Sequence, residues 1–254
     1  MSFHSLTTNN PNGVTNAAPW QTMAASGVPD PTWSQLYYDD FMQYLAALYS
    51  VVGTGTPVVA QTTGKGGNIS LTTTGAAADT ANIQLPAASY VLTAGKHHFF
   101  KAKLTPVSSA AADVYAGLFP VGANPLAATD FLGFVCLTGT STWILRSRVA
   151  SVNNDIVLPA NLTKIDGTAV ELGFHVDEQG NIEAFWNPTS GPTKPQVNLT
   201  AIVSDGRVAS FVNATSGTQL APTQVAMAPT VGIRTTGAAV RSLTVDFMVA
   251  SSER

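Results

Sequence analysis

Charge is what this sequence has least of. Of its 254 residues, 12 are Lys or Arg and 15 are Asp or Glu, so 11% of the chain is charged and the formal net charge is −3. A typical soluble domain carries about 25% charged residues. The basic residues are few and scattered, which argues against a nucleic-acid-binding surface. The single cysteine, Cys136, excludes an internal disulfide and cannot by itself form a zinc site.

Long apolar runs are missing as well. No stretch of about 18 apolar residues is present, so the sequence predicts no transmembrane helix. Residues 1–12 are polar and do not have the basic head and apolar run of a secretory signal. Yet 45% of the residues are apolar and the mean hydropathy is +0.17, too hydrophobic for a disordered chain. Small neutral residues, 31 Thr and 35 Ala, take the places that charge usually occupies.

The first 31 residues have the composition of an extended arm. A turn-rich Asn-Asn-Pro-Asn-Gly tract spans residues 9–13, and three further prolines interrupt regular structure: Pro19, Pro29 and Pro31. Two interpretations stay open, a frayed terminus or a segment that docks on a neighbouring subunit. In the second interpretation Trp20 and Met23 are the anchors of the arm, because a solvated tail rarely needs such residues.

One segment has a helical pattern. Its aromatic and apolar residues recur at spacings of four, three and four, which places them on one helix face: Tyr37, Phe41, Tyr44 and Leu48. Asp30 or Thr32 can cap the start of this helix. The sequence therefore predicts a short helix over Trp33–Leu48. It also predicts two parts of the chain, the arm over residues 1–31 and a helix plus β-sandwich domain over residues 32–254.

After Gly53 the pattern changes to short β-rich segments separated by Gly, Pro, Asn and Ser clusters. So many strands in about 200 residues predict an all-β fold, with two sheets packed as a jelly-roll sandwich. The predicted strands are Pro57–Thr62, Asn68–Thr73, Ala81–Leu85, His97–Leu104, Val114–Phe119, Phe131–Leu137, Trp143–Val149, Val170–Val176, Asn181–Trp186, Val197–Val203, Arg207–Val212, Thr230–Arg234 and Ser242–Val249.

The residues that could bind a metal ion do not form a convincing set. His97 and His98 are adjacent on a predicted strand, so their side chains point to opposite faces and cannot share an ion. We expect His97 to be exposed and His98 to be half-buried. Cys136 lies on a hydrophobic strand and is predicted to be a small core residue. The turn that contains Asp177, Glu178 and Asn181 offers only a weak calcium ligand set. The sequence therefore predicts no metal and no cofactor.

Two features leave carbohydrate chemistry open. Glu171 and Glu183 could approach each other across a predicted hairpin, as the carboxylate pair of a glycosidase does, although a solvated strand face is the favoured explanation. Four aromatic residues could present their rings to a sugar or could pack in cross-strand pairs: Tyr90, Phe99, Tyr115 and Phe185.

Five segments, in this order and spacing, resemble a family of tailed-phage virion proteins with a concanavalin-like jelly roll. That family is commonly described as capsid decoration or head-fibre protein. The segments are Tyr38–Phe41; Gly66–Gly75 with Asp79–Leu85; Gly95–Leu104 with Asp113–Leu118; Val170–Phe185; and Arg241–Asp246 with the closing Glu253-Arg254.

The resemblance implies a non-enzymatic structural protein on the capsid exterior, made in the cytoplasm of a bacterial host, where a single cysteine stays reduced. It would form a homo-oligomer, a trimer, over junctions between major capsid proteins, with neither nucleic acid nor membrane as a partner. Trp20, Met23 and Trp33 are the expected capsid contacts. Low charge fits this role, because a surface covered by neighbours needs little charge, and the free protein should then associate.

Two rival functions remain. A carbohydrate-binding module of a tail fibre or adhesin would recognise a host-surface glycan through exposed aromatic side chains. A glycoside hydrolase would need two facing carboxylates in a cleft.

Overall fold

The protein folds as two antiparallel β-sheets packed face to face, which confirms the predicted jelly-roll sandwich. The structure is a computed structural model that describes residues 34–62, 67–93, 95–158, 162–177, 182–187, 222 and 225–253. Within this part of the chain there are fifteen strands: β1 Ser34–Asp39, β2 Ser50–Val52, β3 Val58–Gln61, β4 Ile69–Thr72, β5 Thr80–Gln84, β6 Tyr90–Val91, β7 His98–Ser108, β8 Ala112–Phe119, β9 Phe131–Cys136, β10 Ile144–Val149, β11 Val152–Val157, β12 Val170–Val176, β13 Ile182–Asn187, β14 Ala226–Thr235 and β15 Ser242–Glu253.

The first sheet, called the open sheet below, has the strand order β13-β12-β7-β15-β4-β3, with β1 also paired to β15. Strand β15 is twelve residues long and lies against β7 along its length. On its other side, β4 pairs with the first part of β15 and β1 with the second part. Residues along β7 alternate between buried and half-buried positions, so one face of this sheet packs on the core and the other is solvated.

The second sheet, called the covered sheet, has the order β11-β10-β9-β8-β14-β5-β2, with β6 beside β14. Every residue of β5, β8 and β9 is buried, so the centre of this sheet is covered on both faces. Its inner face packs against the open sheet and includes Cys136, which confirms the predicted core position of that residue. Its opposite face, which points away from the open sheet, carries a second apolar cluster: Tyr115, Phe119, Leu126, Phe131 and Val135.

The helix predicted over Trp33–Leu48 is wrong. Its first part is strand β1, and only a single 3-10 turn forms, over Ala46–Leu48. The second part of β15 offers an unpaired edge, and pairing with that edge outweighs the local helical pattern. The strand then ends in a tight turn, where the Asp39 carboxylate accepts the backbone N–H of Phe41 at 2.6 Å and Phe41 takes a φ of 52°.

Several sequence predictions fall outside the described residues. These are the arm over residues 1–31, its contacts Trp20 and Met23, the contact Trp33, and the strands predicted over 197–203 and 207–212. In the described parts of the chain, no helix is long and apolar enough to cross a bilayer.

Candidate functional site

The face of the covered sheet that points away from the open sheet is closed by the loop between β8 and β9, residues 120–130. Thr80 Oγ1 donates to the carbonyl of Ala123 at 2.6 Å, and the Gln84 side chain donates to the carbonyl of Pro120 at 3.3 Å. Leu126 from this loop packs onto the aromatic cluster beneath it. In the described part of the chain, the face of the open sheet that points away from the core keeps half-buried and exposed side chains, and we call it the outer face.

An aromatic pair lies on the outer face. Phe99 of β7 and Phe185 of β13 stack with ring centroids 5.2 Å apart and an interplanar angle of 19°, and both are half-buried. Gly173 on the intervening β12 makes this possible, because a Cβ there would come within 2.1 Å of the Phe185 ring. The absence of a side chain at Gly173 lets the Phe185 ring lie over β12 and reach Phe99. The result is an offset stack of two half-buried rings on the outer face.

A fixed ion pair adjoins this aromatic pair. Lys101 Nζ lies 3.0 Å from Glu171 Oε2, and their side chains retain 24% and 21% exposure. The same ammonium lies 5.3 Å from the ring centroid of Phe247, a cation–π distance. Two partners therefore position Lys101. Its remaining N–H donors and the second oxygen of Glu171 can bind polar groups of a ligand.

A β-bulge in β15 places two more side chains on the outer face, those of Asp246 and Phe247. The register between β15 and β7 shifts between Val245 and Phe247. Val245 and Met248 are fully buried, while Asp246 and Phe247 between them are both half-buried. Two successive side chains thus point outward where a regular strand would place one. Asp246 Oδ2 lies 2.5 Å from Lys103 Nζ.

Two histidines meet at the end of the outer face. His97 and His175 stack with centroids 5.0 Å apart, and His97 Nδ1 lies 2.8 Å from His175 Nε2. The sequence correctly placed His97 and His98 on opposite faces, but His97 is half-buried and not exposed as expected, and His98 is fully buried and not half-buried. In the described part of the chain, no three His, Cys, Asp or Glu side chains are grouped to hold a metal ion. Glu178 and Asn181 of the calcium candidate lie outside that part.

The two residues that the sequence suggested as a glycosidase pair are not opposite each other in the strand register. In the β12–β13 hairpin Glu171 lies opposite Asn187, and Glu183 lies opposite His175. The two glutamates are therefore four positions apart in register, roughly 14 Å at strand rise.

Of the four candidate aromatic residues, Tyr90 and Tyr115 are fully buried, and only Phe99 and Phe185 reach the surface.

Comparison with solved structures finds the same fold in several proteins. A protein of unknown function from Shewanella oneidensis MR-1 matches with a TM-score of 0.59 and 12% identity, over 93% of this chain and 94% of that one. An endo-1,3-beta-glucanase from Streptomyces sioyaensis matches at 0.51 and 14%, over 89% and 98%. A prokaryotic beta-1,3-1,4-glucanase (lichenase) from a mouse hindgut metagenome matches at 0.50 and 10%, over 85% and 98%.

No protein-family model matches the chain, and no curated protein does. A carbohydrate-binding module of the Dit protein of Lactobacillus casei BL23 phage J-1 matches with a TM-score of 0.48, too low to support an argument. The expectation that the protein is not an enzyme is overturned, because the two glucanases are enzymes with the same jelly-roll fold. At 10–14% identity this likeness establishes the fold and no particular activity.

Proposed function

We propose that the protein binds carbohydrate on the outer face of the open sheet. The observation that carries this proposal is the half-exposed Phe99–Phe185 pair beside the Lys101–Glu171 ion pair. Carbohydrate binding is the alternative that the sequence leaves open, and the fold shared with glucanases is compatible with it.

The chemistry of the site suits a sugar ring. A pyranose has an apolar face of C–H groups and a rim of hydroxyls, so it needs a flat apolar surface bordered by donors and acceptors. The stacked rings of Phe99 and Phe185 supply the surface. Lys101 supplies donors and Glu171 an acceptor, both held in place before a ligand arrives, so little side-chain entropy is lost on binding.

Titration calorimetry with cellohexaose and laminarihexaose tests the proposal. We expect Phe185→Ala to weaken binding by about tenfold, the upper range for one aromatic contact. Gly173→Ala should have a comparable effect because its new methyl group would displace the Phe185 ring. Gly122→Ala is the matched control, since a Cβ there meets no atom within 4 Å, and it should bind as the wild type does.

Two results would count against the site. The proposal fails if neither oligosaccharide binds the wild-type protein, or if Phe185→Ala and Gly173→Ala both bind like Gly122→Ala. Chromatography of the sugars after incubation records any cleavage in the same experiment. The capsid-surface role stays a prediction, as do its oligomeric state and its contacts Trp20, Met23 and Trp33.

A further inference from the structure

We infer that the carbohydrate site extends along β7 from the Phe99–Phe185 pair to Phe247, so that it takes a neutral oligosaccharide of several units and not a single sugar. This inference rests on the proposed function and adds the length and charge of the ligand. Its basis is the second aromatic and polar group that the bulge in β15 brings to the outer face.

The bulge determines where Phe247 points. Val245 faces the core, so in a regular strand Asp246 would point outward and Phe247 inward. The extra residue instead leaves both Asp246 and Phe247 on the outer face and returns Met248 to the core. A large apolar side chain is thereby withdrawn from the core and presented to solvent. Bulges of this kind re-aim side chains next to functional sites.

The two aromatic groups are spaced for a chain of sugars. Phe247 pairs in register with Lys103, which is four residues beyond Phe99 on β7. Four strand residues span about 14 Å, so the strip from the Phe99 position to the Phe247 position is longer than one sugar ring, with Phe185 in register with Lys101 between them. Lys101 lies between the two groups and contacts Phe247 through its ammonium. The outward side chains of β7 thus form one continuous strip from the Phe99–Phe185 pair to Phe247.

The charges on this strip balance. Lys101 is paired with Glu171, and Lys103 is paired with Asp246. An anionic polysaccharide would have to displace these carboxylates or lie beside them, and like charges at that distance disfavour binding. Neutral hydroxyls can instead bind both members of each ion pair, since the lysines keep free donors and the carboxylates keep free lone pairs.

Affinity measured against chain length tests the inference. Wild-type protein is titrated with gluco-oligosaccharides of two to six units and with oligogalacturonides of the same lengths. We expect the neutral series to bind about three- to tenfold more tightly as it lengthens from two to six units, as one added aromatic contact allows, and the anionic series to bind more weakly. Phe247→Ala should keep wild-type affinity for the disaccharide and lose the gain with length. Asp246→Asn should lose part of that gain.

The outcomes separate this inference from the proposed function. If the wild-type protein binds the disaccharide and the hexasaccharide equally, or if Phe247→Ala weakens both to the same degree, the extended site is wrong and the ring-pair site stands. Tighter binding of the oligogalacturonides would overturn the neutral-ligand assignment. If no oligosaccharide of any length binds, the proposed function and the extension fail together. Thermal unfolding of each variant shows that it is folded.

Discussion

Among individual residues, His98 connects distant parts of the sandwich from a position that is only 1% exposed. Its Nε2 accepts the backbone N–H of Thr93 at 3.0 Å, and its Nδ1 lies 3.0 Å from Ser252 Oγ. Burial is the main cause that lowers the pKa of His98 to about 4, with smaller contributions from Lys96 and His97 in the same direction. The neutral imidazole is therefore the form that the fold accommodates.

This shift predicts a loss of stability in mild acid. The unfolded chain has a histidine pKa near 6.5, so below that pH it binds a proton that folded His98 does not. Above pH 6.5 this histidine is neutral in both the folded and the unfolded chain, so it does not lower the free energy of unfolding. As the pH falls from 6.5 toward 4, protonation of the unfolded chain lowers the free energy of unfolding. Linkage gives a decrease of about 2 kcal/mol in the free energy of unfolding between pH 7 and pH 5. Urea unfolding at the two pH values measures it.

The comparison variant is His98→Asn, which has no imidazole to titrate. His97, His175 and the carboxyl groups contribute to the pH dependence of both proteins, so the decisive quantity is the difference between the two pH slopes. A smaller slope in His98→Asn is the expected result. Equal slopes would show that burial of His98 does not disfavour its protonation.

Among the elements, the β8–β9 loop holds the covered sheet closed through polar contacts. Gln84 is fully buried, and its amide group donates to the carbonyl of Pro120 and to Thr230 Oγ1 at 2.9 Å, while its carbonyl accepts the N–H of Gly122 at 3.0 Å. Two of these three hydrogen bonds, to Pro120 and Gly122, attach the loop, and the third joins Gln84 to the neighbouring strand β14. A buried backbone group that loses its partner costs about 1–3 kcal/mol.

Gln84→Ala should therefore lower the free energy of unfolding by about 1–3 kcal/mol and increase hydrogen exchange at Gly122. Gln61→Ala is the matched control, because that side chain is exposed and donates to the carbonyl of Met42. We expect less than about 0.5 kcal/mol from the control. Sugar affinity should be unchanged in both variants, since Gln84 belongs to the other sheet and Gln61 lies on β3, at the edge of the open sheet farthest from the Phe99–Phe185 pair. Equal destabilisation by both would refute the anchoring role of Gln84.

Elements governed by local alternation could be predicted from the sequence, and those governed by distant pairing could not. Strand β12 has the predicted bounds, since an apolar residue recurs at every second position from Val170 to Val176. Strand β1 was predicted as a helix because only its pairing with β15, from the far end of the chain, makes it a strand. The site depends on the same information. His97 and His175 are 78 residues apart, and no local pattern indicates that their strands are neighbours.

Across the whole molecule, many of the exposed apolar side chains come from one segment of the chain, which contains the edge strands β2 and β3. Half of the large exposed ones in the described chain come from a single segment: Tyr38, Met42, Leu45, Leu48, Val51 and Val58. Strands β2 and β3 of this segment each pair with only one neighbour in the described structure. No charged residue occurs in residues 41–62. Natural edge strands are usually protected by lysines or other charges, and this edge has none.

We therefore predict that the protein self-associates through the β2–β3 edge. Sedimentation velocity over a hundredfold concentration range should show larger species at higher concentration. Val58→Lys should weaken association by about tenfold, because the variant places like charges on facing edges of two copies. Val157→Lys is the matched control, since Val157 is 67% exposed, against 58% for Val58, and lies on the edge strand β11 beside Asp155. A wild-type protein that stays monomeric, or equal effects of the two lysines, would show that low charge at this edge does not drive assembly.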